Sequence, residues 1–121
     1  MFNIEFYENA NGECEVWNYL EELRTKASKS KDARIQYKQI SLYIELLQNN
    51  GTYLPDNITK HLIDNIWELR PGNNRILYFF EKDDTYVLLH MFRKKTQKTP
   101  RKEIEKAKAE KEDYIRRKRG G

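Results

Sequence analysis

Two short turn segments cut residues 66–92 into three apolar runs, and this confines the chain to folds built on a small antiparallel sheet. Ile66-Trp67-Glu68-Leu69-Arg70 runs into Pro71-Gly72-Asn73-Asn74, a turn by composition. Arg75-Ile76-Leu77-Tyr78-Phe79-Phe80 follows, and Glu81-Lys82-Asp83-Asp84 turns the chain again. Tyr86-Val87-Leu88-Leu89-His90-Met91-Phe92 completes the set. The second and third runs are almost continuously apolar, which predicts central strands covered on both faces.

The flanking sequence supplies the covering elements. Phe2, Ile4 and Phe6 alternate with Asn3 and Glu5, the pattern of a half-buried strand over residues 2–7. Val16, Trp17, Leu20, Leu23 and Ala27 recur at helical spacing and predict a helix over about 12–28. Ser28, Ser30 and Asp32 offer a break and a new N-cap. Ala33, Tyr37, Ile40, Ile44 and Leu47 then form a second helical stripe that stops near Asn49-Asn50-Gly51. The short connection predicts an antiparallel helical hairpin, with Trp17, Leu20, Tyr37, Ile40 and Ile44 buried on the sheet. Residues 51–65 read as a loop. Thr99 and Pro100 open a last helix, as N-cap and first helical residue, with a weak apolar face of Ile104, Ala107, Tyr114 and Ile115 interrupted by Lys111. The expected fold is therefore α+β, in the order strand-helix-helix-strand-strand-strand-helix: a helical hairpin packed on a small, curved, mainly antiparallel sheet. A single domain over residues 1–121 is expected, with 116–121 as a flexible basic tail.

Charge divides the chain. Residues 1–92 hold 10 Lys/Arg and 14 Asp/Glu, a balance of −4, whereas residues 93–121 hold 13 Lys/Arg and 5 Asp/Glu, a balance of +8. A chain so divided has a basic end that calls for an acidic partner, and a polyphosphate is the commonest one. The aromatic share of 12% argues against disorder. One cysteine, Cys14, excludes an intrachain disulfide and fits a reducing compartment. Acids stand near the start where a secretory leader would be apolar, and no apolar run approaches the ~20 residues of a membrane span. A cytoplasmic protein without membrane contact is the expectation.

Two motifs carry a resemblance. They are Trp67-Glu68-Leu69-Arg70-Pro71-Gly72-Asn73-Asn74-Arg75-Ile76-Leu77-Tyr78-Phe79 and Val87-Leu88-Leu89-His90-Met91-Phe92-Arg93-Lys94-Lys95, the second followed by a Thr-Pro start of a Glu- and Lys-rich helix. Together they resemble the sheet core of the phage-related HigB branch of the RelE/ParE toxin superfamily, over about residues 66–107. The resemblance implies a RelE-like fold, a toxin of a type II toxin–antitoxin system, and cleavage of messenger RNA in the ribosomal decoding site. It implies a helix-turn-helix antitoxin of the HigA type as partner in a hetero-oligomer, with operator DNA reached only through that antitoxin. The superfamily also contains ParE-type inhibitors of DNA gyrase, which stand as the alternative, as does an RNA-binding module without chemistry.

Metal-free RNA cleavage uses the 2′-hydroxyl as nucleophile and needs a base, cations on the phosphorane and an acid for the leaving 5′ oxygen. No cofactor is called for, and neither His61 nor His90 has a spacing that indicates a metal site. Arg70 and Arg75 flank the Pro-Gly-Asn-Asn turn, so a hairpin brings them close enough to grip one phosphate. By the resemblance, Arg75 matches a functional position, while Glu68 and Arg70 stand where the family carries lysines. Arg93, Lys94, Lys95 and Lys98 follow the third strand with no acid between them. Alternation sets Arg93 and Lys95 on one face and Lys94 on the other. Arg70, Arg75, Arg93 and Lys95 are the catalytic candidates. Lys94, Lys98, His90, Arg101 and Lys102 are the RNA-binding candidates, although His90 reads equally well as a core residue.

Overall fold

The computed structural model describes residues 1–120. Among the described residues the chain forms, in order, β1 (Asn3–Phe6), α1 (Glu15–Lys26), α2 (Lys31–Asn50), β2 (Thr59–Ile63), β3 (Ile66–Leu69), β4 (Asn74–Glu81), β5 (Thr85–Arg93) and α3 (Arg101–Gly120). The class is α+β, as the strand and helix patterns predict. The sheet order is β1-β5-β4-β3-β2. β1 lies parallel to β5, and the other three pairings are antiparallel.

Local chemistry sets the boundaries. The Cys14 thiol accepts the Trp17 amide and caps α1, and burial pushes that thiol's pKa up. The Ser30 hydroxyl accepts the Ala33 amide and caps α2. α3 starts at Arg101, where the Pro100 carbonyl accepts from Glu103 and Ile104. Asp83 and Asp84, both at positive φ, close the β4–β5 turn, a conformation that Asp tolerates better than most residues.

The two faces of the sheet are covered differently. Val16, Leu23, Ile40 and Leu47 of the helical hairpin pack on Leu69, Ile76, Tyr78, Leu88 and Met91. On the other face, Ala107, Tyr114 and Ile115 of α3 pack with Tyr7 on Ile66, Leu77, Phe79, Val87 and Leu89. Each large side chain so buried contributes about 1.5–3 kcal/mol against chain entropy. β4 and β5 are thus sandwiched, which explains their unbroken apolar runs. The pairing register shifts between Leu77 and Tyr78, so that Leu77 faces His90 while Tyr78 faces Leu88. This bulge turns both Leu89 and His90 toward α3.

Four sequence expectations need correction. Thr59–Ile63 is an edge strand rather than loop, paired to β3. Trp17 is not buried: it is 53% exposed and stands edge-on to Phe6. Lys111 does not break the apolar face of α3, because its stem crosses the face and its amine reaches the Asn65 side chain above the Phe79 ring. The expected flexible tail is helical through Gly120, and Gly121 lies outside the described residues. Arg117 holds this end down by pairing with Asp113 at 2.6 Å, bonding the Glu8 carbonyl and lying over the Tyr7 ring. Tyr7 donates to Asp113 at 2.7 Å, and burial together with that carboxylate pushes its phenol up to about 12.

Gly51, which ends α2 at φ 61°, lies where an added Cβ would sit 2.8 Å from the Phe2 ring and 2.9 Å from the Tyr86 hydroxyl. Gly12 has a similar positive φ but open space around it. Urea unfolding should therefore show Gly12→Ala losing about 1 kcal/mol from backbone strain alone. Gly51→Ala should lose about 2–4 kcal/mol, because overpacking adds to strain. Equal losses would show that the Phe2–Tyr86 contact yields freely.

Candidate nucleic-acid interface

Strand alternation decides which cations meet. On β3, Ile66 and Glu68 face α3, and Arg70 continues that side just beyond the strand. On β4, Arg75 shares the side of Leu77 and Phe79. The register sets Arg75 opposite Phe92 of β5, one residue before Arg93 and two before Lys94. Arg75, Phe92, Lys94 and Lys98 line one shallow hollow with Thr99 and Pro100, just before α3 begins.

A single carboxylate organises the hollow. Glu68 is 3% exposed. Its Oε2 lies 3.4 Å from Arg70 Nε and 4.0 Å from Arg75 Nε. Its Oε1 accepts the Thr99 hydroxyl. Thr99 therefore ties the basic loop 94–99 to β3 instead of capping α3. Arg75 Nη1 donates to the carbonyls of Gly72 and Asn74, each at 2.8 Å, and so staples its own turn. Burial holds the Arg75 pKa below its ordinary value, partly offset by Glu68. Arg70 Nη1 donates to the Asp56 carbonyl at 2.9 Å. Arg70 Nε is near Glu68 but misaligned, and it is buried without a hydrogen-bond partner. Two guanidiniums against one carboxylate leave the cluster positive before Lys94 and Lys98 are counted.

The other candidates divide. Arg93 turns to the opposite face, where its Nη1 donates to Gln36 Oε1 at 2.9 Å. Asn74 donates to the same Gln36 oxygen and accepts from the Tyr19 hydroxyl, so this side forms a network between β4 and the helical hairpin. Arg93 is thereby separated from the hollow. Lys95 is exposed and does not line the hollow either. Arg101 and Lys102 are exposed on the first turn of α3, beside the basic loop.

His90 is a core residue. It is 1% exposed, with Nδ1 2.5 Å from Glu110 Oε1 and Nε2 3.1 Å from Glu103 Oε1. Both ring nitrogens are occupied, so the expected contact with RNA is not available to it. The two glutamates sit on opposite sides of the ring and pin α3 to β5. His61 is exposed on the edge strand and hydrogen-bonds the Asp64 carbonyl. Two contributors were not singled out from sequence: Thr99 as a ligand of Glu68, and Gln36 as the anchor of Arg93. The alternation Ile66-Glu68-Arg70 was the signal that places Glu68 beside both arginines.

An α+β fold with a helical hairpin on one face of a mostly antiparallel five-stranded sheet, and a basic rim at one end, is compatible with the RelE-like architecture. The model of the family described as Phage derived protein Gp49-like (DUF891) matches residues 29–112, and the chain belongs to this phage-derived, toxin-like family of RelE type. The matched span runs from just before α2 into α3 and includes the whole basic rim. A search of curated proteins found no match. Membership of a toxin family implies a cognate antitoxin. Among the described residues, no helix is long and apolar enough to cross a membrane.

Removing Glu68 tests the clamp. Glu68→Ala leaves Arg75 buried without its counter-charge and should cost about 3–5 kcal/mol in urea unfolding. Glu68→Gln keeps an acceptor for Thr99 and should cost less. A Glu68→Ala protein within about 1 kcal/mol of the parent would mean that solvent already satisfies Arg75.

Proposed function

We propose that this chain is a HigB-type toxin: a ribosome-dependent endoribonuclease that cuts messenger RNA and stops translation, held in check by a helix-turn-helix antitoxin. The observation that carries the reading is the position of Arg75 at one end of the sheet, where it stands with Arg70 at Glu68 and also lines a hollow with Lys94 and Lys98. Family membership supports the toxin class. Residues 1–121 act as one toxin domain in the cytoplasm, where ribosomes are found.

The chemistry follows from the groups present. The RNA 2′-oxygen attacks the adjacent phosphorus, the bond to the 5′ oxygen breaks, and the products are a 2′,3′-cyclic phosphate and a 5′-hydroxyl. Negative charge grows on the non-bridging oxygens as the phosphorane forms. Arg70 and Arg75 stabilise that charge, since a guanidinium matches phosphate geometry and keeps its proton. Arg70 Nε is buried against Glu68, so Arg70 acts on a bound phosphate through its charge and through the part of its guanidinium that is not buried. With His90 locked between two glutamates, proton transfer falls to the basic loop, where Lys94 and Lys98 flank the hollow. The hollow is too tight as it stands for a water molecule, so substrate entry requires movement of the 94–99 loop. Arg101 and Lys102 add sequence-independent phosphate contacts that weaken with salt.

Brief expression, followed by mapping of new 5′ ends and plasmid topology in the same cells, tests the reading. New 5′-hydroxyl ends inside translated transcripts, with supercoiling unchanged, are expected. Lys94→Ala should lower cleavage by about 10²-fold or more, the usual effect of removing a positioned general acid or base, with the fold retained by circular dichroism. Intact transcripts with altered supercoiling would establish the gyrase-directed alternative instead.

A further inference from the structure

A second cleft, roomier than the basic hollow, lies along α3 from Lys108 onward. It sits between that helix and the β2–β3 turn, with a volume of about 710 Å³. Its floor is apolar: Ile66 and Ile115 meet there. Its rim is basic, with Lys108, Lys111 and Arg119 along the helix. Asp64 on the turn and Glu112 on the helix are the acids that also line it. At about 1.5 Å per residue, its lining on α3 begins at Lys108, about 10 Å along the helix from Arg101, and runs past Arg116, about 22 Å away. None of its residues lines the basic hollow. The cleft is therefore separate from the proposed RNA site.

Three features decide the occupant. The isoleucine floor offers burial to an apolar side chain, which a nucleic-acid backbone does not provide. A polyphosphate carries charge at every unit and meets the two carboxylates in the lining, whereas a protein segment can set its acids against the cations and its apolar side chains elsewhere. The four lining cations outnumber those two acids. Although Lys108 and Arg116 also meet Glu105 and Asp113 outside the cleft, those pairs are solvent-exposed and weak, so the complement is an acidic segment. We propose that this cleft is the docking site for an acidic, apolar-anchored segment of the cognate antitoxin, and this rests on the toxin reading above. One or two aliphatic side chains of the segment fill the Ile66–Ile115 floor. Its Asp or Glu residues pair with Lys108 and Arg119. Lys111 is already engaged with Asn65 and the Phe79 ring, and it contributes field more than a new bond. Docking here leaves the basic hollow uncovered, so the antitoxin is held by a surface distinct from the one that touches RNA.

The test is a titration of the full-length toxin with the antitoxin encoded beside it, by calorimetry at two salt concentrations. The double variant Lys108→Glu/Arg119→Glu should bind at least 10-fold more weakly, with an unchanged unfolding midpoint and unchanged growth arrest when expressed alone. Lys108→Gln/Arg119→Gln should show a smaller loss and a flatter salt dependence than the parent. Unchanged affinity in both variants overturns the proposal. So does reduced RNA cleavage with unchanged antitoxin affinity, which would make the cleft an RNA surface. Absence of growth arrest from the parent protein refutes the nuclease reading but leaves the affinity comparison decisive for the cleft.

Discussion

The central hairpin of β4 and β5 is apolar on both faces, and this one constraint dictates the arrangement of everything else. Neither face can be left to water, so the chain must supply a cover on each side. The helical hairpin covers one side through Ile40 and Leu47, and α3 covers the other through Ala107 and Tyr114. Because α3 follows β5 directly, the chain has to cross from the end of the sheet to its other face. The basic loop 94–99 is that crossing. Its position at the sheet's end, next to the Pro71–Asn74 turn, follows from the requirement to cover Leu77, Phe79 and Leu89.

The buried polar contacts complete what apolar burial leaves open. His90 reaches two glutamates one helical turn-pair apart on α3, Glu103 and Glu110, and so fixes both the rotation and the height of the helix. Glu68 does the same for the end of the crossing loop by holding Thr99. A buried carboxylate near two guanidiniums is not an efficient stabiliser compared with apolar packing. Its value lies in placement: it keeps Arg70 and Arg75 beside each other despite their mutual repulsion, while leaving a net positive charge for an anion.

Periodicity made most of the fold legible, since the strands at 66–69, 74–81 and 85–93 and the first two helices carry clear apolar patterns, while the Thr-Pro start and a weaker stripe mark the third. β2 escaped notice because Thr59-Lys60-His61-Leu62-Ile63 is an edge strand with little apolar surface, and only its pairing to β3 defines it. Trp17 looked buried because it falls on the α1 stripe, but Val16 takes the inward position. The candidate site was legible in part. Arg70 and Arg75 meet because a short turn enforces it, whereas Arg93 parts from them because alternation along β5 points it at Gln36. Single-sequence patterns give the alternation but not which face carries the turn. His90 was ambiguous for a related reason: the bulge opposite Leu77 shifts the phase, and no local signal announces a bulge.

α3 emerges as the element that joins the two ends of the molecule's chemistry. Its first turn carries Arg101 and Lys102 beside the hollow, and residues from Lys108 to Arg119 carry the rim of the cleft. Between them it is pinned at Glu103, Glu110 and Asp113 to residues from β5 and the chain just after β1. These contacts complete the core and set the helix against the sheet along its length, so the positions of both surfaces follow from the packing of one element, with no residue shared between their linings.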